Sequence, residues 1–136
     1  MEKRDYDIHD EPIRLGAVVL ECRDVVRLAR FYSSLLGWEQ TYSETDEWVD
    51  LTSTAGGVQI AFQKNEDYIP PVWPDKPGEQ QQMAHLDFKV RGRDQMARAV
   101  EKALALGAML AQEQYSELWT VLIDPEGHPF CLVTDY

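Results

Sequence analysis

The stretch Met83–Arg91 reads M-A-H-L-D-F-K-V-R. Leu86, Phe88 and Val90 fall on one side of an extended chain, and His85, Asp87 and Lys89 on the other. That is the two-residue period of a strand with one apolar and one polar face. An imidazole, a carboxylate and an ammonium in a row suit either a solvated sheet face or the floor of a ligand cavity. A second copy of the pattern adds weight to the cavity. Ala17–Asp24 reads A-V-V-L-E-C-R-D, again an alternating strand that runs into Arg and then Asp. Beyond the strands the two halves keep step. Asp24 to Gly37 spans the same distance as Asp94 to Gly107, and Gly37 to Gly57 the same as Gly107 to Gly127. Matching breaker positions at a constant offset indicate an internal duplication, which fixes the architecture before any single element is assigned.

Read outward from this pair, the first copy begins with a strand over Leu15–Cys22. Asp24 is placed to cap a helix carrying Val25, Leu28, Tyr32 and Leu35 at helical spacing, with Gly37 as its stop. Strands are expected at Trp38–Ser43, Trp48–Ser53 and Val58–Gln63, separated by the polar S-E-T-D-E and the tight T-A-G-G turn. The second copy repeats the order. The strand Ala84–Arg91 is followed by a helix capped by Asp94 and ended by Gly107, then strands at Ala108–Tyr115, Glu117–Ile123 and His128–Thr134. The intervening D-P-E-G at Asp124–Gly127 suits a type I turn. The chain is therefore expected to be α+β, with two tandem βαβββ modules forming a curved mixed sheet around a cavity. An N-terminal arm covers residues 1–14 and a single domain residues 15–136. Within that domain module one runs over 15–63, a connecting loop over 64–82 and module two over 83–136. The loop holds four of the seven prolines together with Tyr68 and Trp73. It reads either as a stiff linker packed on the rim or as a lid over a pocket.

Composition narrows the function classes. At 136 residues, with 44% hydrophobic and 27% charged residues, the chain is one domain's worth of ordinary globular protein. No apolar run reaches membrane-spanning length, and the N-terminus lacks the apolar core of a signal peptide. The net charge of −11 argues against nucleic acid as a partner and is compatible with a cationic small molecule. Cys22 and Cys131 are the only cysteines. The duplication puts them on opposite faces of their strands, so no disulfide is expected between them, and free thiols without a signal suggest the cytoplasm.

The strand and helix L-G-A-V-V-L-E-C-R-D…A-R-F-Y-S-S-L-L-G-W resemble the first module of the vicinal oxygen chelate superfamily. The strand opening at His85 and the ending D-P-E-G-H-P-F-C-L-V resemble the second. This is the glyoxalase, bleomycin-resistance and extradiol dioxygenase fold, and the resemblance runs from Leu15 to Val133. It implies the fold and a homodimer, but no one reaction, since the superfamily holds isomerases, dioxygenases, transferases and non-enzymatic drug binders. It also implies where metal ligands would stand, on the first and last strands of each module: Ala17, His85, Ala61 and Cys131. Two of these are methyl groups. His85 and Cys131 alone fall short of the three protein ligands of a catalytic zinc or iron site. No metal and no cofactor are expected on this count, a divalent ion being the alternative.

The cavity expected instead is lined by Ala17, Val19, Ala61 and Cys131 on its apolar side, with Gln59, Gln63 and Lys89 adding polar groups and Trp48, Trp73 and Trp119 as candidate walls. Such a lining suits a small molecule. Two functions stay open. One is a binding or sequestering protein for an aromatic or cationic compound. The other is a glyoxalase-like lyase, isomerase or dehydratase, or a dioxygenase-type enzyme, in which His85 acts as acid/base or metal ligand and Asp87 or Glu21 sets its protonation. The strand rise places Asp87 some 6–7 Å along from His85, close enough to perturb it but long for a direct contact. Cys131 reads as a small filler rather than a nucleophile.

Overall fold

The computed structural model describes residues 12–134; residues 1–11 of the expected arm and Asp135–Tyr136 of module two lie outside the described residues. In chain order the elements are β1 (Ala17–Cys22), α1 (Val25–Leu36), β2 (Glu39–Glu44), β3 (Trp48–Thr52), β4 (Gln59–Lys64), β5 (Leu86–Lys89), α2 (Gly92–Ala105), β6 (Met109–Leu110), β7 (Trp119–Ile123) and β8 (Pro129–Val133). They form two four-stranded mixed sheets, ordered β1-β4-β3-β2 and β5-β8-β7-β6. In each, the first strand lies parallel to the last, and the registers coincide under the duplication: Val19 stands beside Ala61 as Asp87 stands beside Cys131. The α+β, two-module architecture read from the breaker spacing is the observed one.

Alternation decides which face of each sheet meets the helices. Cys22, Ile60 and Phe62 of the first sheet and Phe130 and Leu132 of the second enter one common core with α1 and α2. The helices do not simply cover their own sheets. Tyr32 of α1 stacks on Phe62 of its own module, centroids 5.7 Å apart, and meets Phe130 of the other module edge-on at 5.8 Å. Phe31 adds a second edge contact to Phe130 at 6.0 Å. Each buried ring contributes about 1.5–3 kcal/mol of transfer free energy, so α1 is the wedge that joins the two sheets. Lys102 of α2 donates to the Leu35 carbonyl, tying the second helix to the end of the first.

Two local expectations change. Asp94 does not cap α2. The N-cap is Arg91, whose N–H is taken by the Gln95 side chain, while the Gly92 N–H goes to the Thr134 hydroxyl. Asp94 sits within the first turn, where a carboxylate favours the helix dipole. The strand expected over Ala108–Tyr115 shrinks to Met109–Leu110. Gln114 accounts for this. Its side chain accepts the Val121 N–H at 2.9 Å and donates to the Val121 and Ala111 carbonyls, doing for β7 what another strand's backbone would have done.

The D-P-E-G-H segment carries most of the polar contact between the modules. Asp24 caps α1 by accepting the Arg27 N–H, and Glu126 of the other module holds that end: its Oε1 accepts the N–H groups of Arg23, at 2.7 Å, and Asp24, and its Oε2 pairs with Arg27. Burial disfavours the Glu126 carboxylate, but these hydrogen bonds outweigh it and lower its pKa. Asp124 is buried and accepts from the Tyr32 hydroxyl at 2.7 Å and from the N–H groups of Glu126 and His128.

The His128 ring lies between the Asp124 carboxylate, 2.8 Å from Nδ1, and the Glu21 carbonyl, 2.7 Å from Nε2, and Tyr68 stacks on it. Both partners are acceptors, so the ring has use for two protons. Burial works against the charged ring. The Asp124 hydrogen bond and charge, the Glu21 carbonyl and the Glu126 charge together overcome it and raise the pKa above 6.5. A pKa raised by folding gives stability that is whole below the unfolded value and is lost as pH rises through the folded one. Thermal melts should therefore show Tm falling from about pH 6.5 upward, and His128→Gln should flatten that slope. A slope unchanged in the variant would assign it to other groups.

Candidate functional site

β5 and β8 build the site. His85 leads into β5, and Asp87 follows two residues later on the same face, with Cys131 opposite Asp87 in the parallel register. Their ligand atoms, one from each side chain, lie within 4.8 Å of one another. The separation expected from strand rise is corrected here: the side chains lean toward each other, and His85 Nε2 comes to 3.1 Å from Asp87 Oδ1. Side-chain reach, absent from the Cα spacing, closes the gap. Both groups are about half exposed, whereas Cys131 is buried. Burial, followed by the Asp87 charge and hydrogen bond, pushes the Cys131 thiol up to about 11. Such a thiol stays protonated at neutral pH and is no nucleophile, as its sequence surroundings suggested.

The face behind Cys131 is apolar. Ala111, Val121 and Cys131 form a small core of their own, with Ile123 and Val133 at its margin and Trp73 of the Pro-rich loop packed over it. Trp73 also meets Tyr115 edge-on, centroids 6.5 Å apart, and its indole N–H is buried with no acceptor among the described residues. Ala111, Val121, Ile123 and Val133 were missed from the sequence. Register would have found them, because Val121 faces Cys131 and the alternation carries that face to Ile123 and Val133.

The remaining candidates stand elsewhere. Val19 and Glu21 line a separate cavity of about 420 Å³ with Tyr68, Gln82, Met83 and His128, and His85 is not among its walls. Glu21 accepts from Asn65 Nδ2 at 3.3 Å. Trp48 donates its indole N–H to Asp50 and stands opposite the exposed Gln63. Ala17 and Gln59 are half-buried beside each other, and Ala61 is fully buried. Lys89 and Trp119 are exposed. The structure thus brings together His85, Asp87, Cys131 and Trp73, and does not gather the first-module residues around them. The count of available donors is corrected too. Asp87 makes a third beside His85 and Cys131, a set with the number and chemistry that a borderline divalent ion such as zinc accepts.

Comparison with known proteins bears on the fold and the family. No curated protein sequence matches the chain. Solved structures do. A glyoxalase/bleomycin resistance protein/dioxygenase family enzyme from Burkholderia phytofirmans PsJN is 21% identical with a TM-score of 0.71, over 91% of this chain and 100% of its own. A glyoxalase-related enzyme from Fulvimarina pelagi is 18% identical with a TM-score of 0.68, over 90% of this chain and 88% of its own. A mutant of FosX, the fosfomycin resistance protein of Listeria monocytogenes, complexed with Mn(II) and 1S,2S-dihydroxypropylphosphonic acid, is 15% identical with a TM-score of 0.67. It matches over 88% of this chain and 87% of its own. Among the described residues no helix is long and apolar enough to cross a membrane. The model of the glyoxalase-like domain matches residues 17–133, nearly the whole chain, and the protein belongs to that family.

Proposed function

We propose that the chain binds a small organic molecule on the face of the second sheet that carries His85, Asp87 and Cys131, with Trp73 as its cover. The observation behind this reading is the composition of that face: an apolar bed under Trp73 beside three converging polar side chains. Such a pairing orients a ligand through a few polar atoms while apolar contact holds it. An indole already lies on the bed, so a flat aromatic ring is the shape it accepts. The net charge of −11 draws a cationic one toward it.

A specific observation favours a second reading. His85 Nε2 at 3.1 Å from the Asp87 carboxylate is an imidazole oriented by an acid, the arrangement a glyoxalase-like lyase or isomerase would use for proton transfer.

Mass spectrometry of small molecules released from the purified protein would identify a ligand, and titration followed by tryptophan fluorescence would measure it. His85→Ala should weaken that ligand by roughly tenfold, about 1.4 kcal/mol, while Tm stays unchanged because the ring is half exposed. Turnover lost with binding retained would establish the enzyme instead. Binding indifferent to both His85→Ala and Trp73→Ala would place the ligand elsewhere and end this reading.

A further inference from the structure

We propose that the cleft between α1 and the D-P-E-G turn is a second binding site, one that takes a small organic monocarboxylate. The cleft holds about 380 Å³ and shares no wall with His85, Asp87, Cys131 or Trp73. Module one supplies one face of α1, where Arg27, Arg30, Phe31 and Ser34 recur at helical spacing. Module two supplies Leu106 and Gly107, at the end of α2, and Pro125 of the turn. A ligand seated there touches both modules.

The charge of this wall runs against that of the chain. Asp and Glu outnumber Lys and Arg by 24 to 13, yet both charged residues lining the cleft are arginines. Their situations differ. Arg27 is committed to the fold: it pairs with Glu126 and donates to the Pro125 carbonyl at 3.0 Å. Arg30 is exposed, and the ion pairs among the described residues leave it out. The helix sequence VVRLARFYSSLL contains no acid to pair with it at the next turn. Packing therefore accounts for Arg27 and not for Arg30.

Charge and shape select the ligand. Glu126 offsets Arg27, so the cleft carries one uncompensated positive charge. That matches a monoanion rather than a phosphate monoester, whose charge at neutral pH is about −1.5 to −2. A guanidinium fork grips a carboxylate through two parallel N–H···O bonds. The Ser34 hydroxyl, one helical turn along from Arg30, adds a further donor. Phe31, Leu106 and Pro125 give the ligand's body an apolar wall. The volume lies near the small end of the range for small-molecule sites, about 300–1,000 Å³. A carboxylate on a single ring or a short alkyl chain meets these terms. The net charge of −11 slows an anion's approach. Salt screens exposed charges beyond about 8 Å, however, and leaves the cleft wall to set the affinity.

The test is an NMR titration of the full, isotope-labelled chain with benzoate, with benzamide as the neutral analogue and inorganic phosphate as the competing anion. Benzoate should shift the backbone amide signals of Ser34, Leu106 and Gly107 saturably, while those of His85 and Asp87 stay in place. Benzamide and phosphate should each bind at least about tenfold more weakly. Arg30→Ala, at an exposed side chain, should keep the fold and weaken benzoate by roughly tenfold or more, the worth of a hydrogen bond to a charged group. Arg30→Lys should restore only part of that loss, since an ammonium lacks the fork. Absence of saturable shifts, equal binding of benzamide or phosphate, or a benzoate affinity unchanged by Arg30→Ala would each overturn the assignment. His85→Ala should leave benzoate binding intact, so this site and the one on the second sheet stand or fall separately.

Discussion

Asp124→Ala should cost about 3–5 kcal/mol, the range for removing one partner from a buried charged network. The carboxylate accepts from the Tyr32 hydroxyl, from two turn N–H groups and from the His128 ring. Alanine leaves all four donors in place. The Tyr32 hydroxyl is the most exposed to harm: its residue is fully buried and burial already pushes its pKa well up. Among the described residues that hydroxyl donates to Asp124. An orphaned buried hydroxyl alone costs about 1–3 kcal/mol. Against a total of about 5–15 kcal/mol for a domain, the variant should be marginal. Urea unfolding measures it. Tyr32→Phe in the Asp124→Ala background should recover part of the loss, because the second change removes the donor that the first left unpaired. A loss below about 1 kcal/mol for Asp124→Ala, or no recovery in the double variant, would mean that the aromatic wedge alone holds the modules together.

Gly127→Ala is the second large effect, and its cause is different. Gly127 has φ +96, where a side chain is strained, and a Cβ there would come 2.6 Å from Cβ of Pro70. The strain costs about 1–3 kcal/mol and the overlap about 1–3 more. Pro70 is the first proline of the connecting loop, a ring tied to its backbone rather than a flexible chain end, so the overlap must be relieved by moving backbone. We expect a loss of about 2–6 kcal/mol and a Tm lower by ~8–24 °C, at about 4 °C per kcal/mol for this size. The displaced loop carries Trp73, three residues on, so its fluorescence should shift toward that of a solvated indole. Loss of stability without any change at Trp73 would confine the damage to the turn and detach it from the cover of the site.

These two predictions share a location. The D-P-E-G-H segment meets α1 through Glu126 and Asp124, and the loop through Gly127 against Pro70 and Glu126 O accepting from Tyr68. One turn therefore fixes both the angle between the modules and the seat of the loop that covers the second sheet.

Much of this was legible in the chain. Alternation, caps and glycine stops act over a few residues, so the duplication, the element order and the split of Cys22 from Cys131 could be read directly. They appear as the common core around Cys22 and the separate cluster around Cys131. What failed was whatever depended on a side chain reaching a distant partner. Tyr32 and Asp124 are 92 residues apart, and Glu126 accepts the N–H of Asp24, 102 residues earlier. No local pattern pairs them. Gln114 cut short a strand that its neighbours favoured. Asp87 was visible as a polar residue, but its place between His85 and Cys131 rests on rotamers and on the register of two strands 40 residues apart. Local physical chemistry determined which elements form and which face of each turns inward. The tertiary structure alone decided which polar side chains meet, because that depends on rotamers and strand register within a module and on how two finished modules dock around a buried tyrosine.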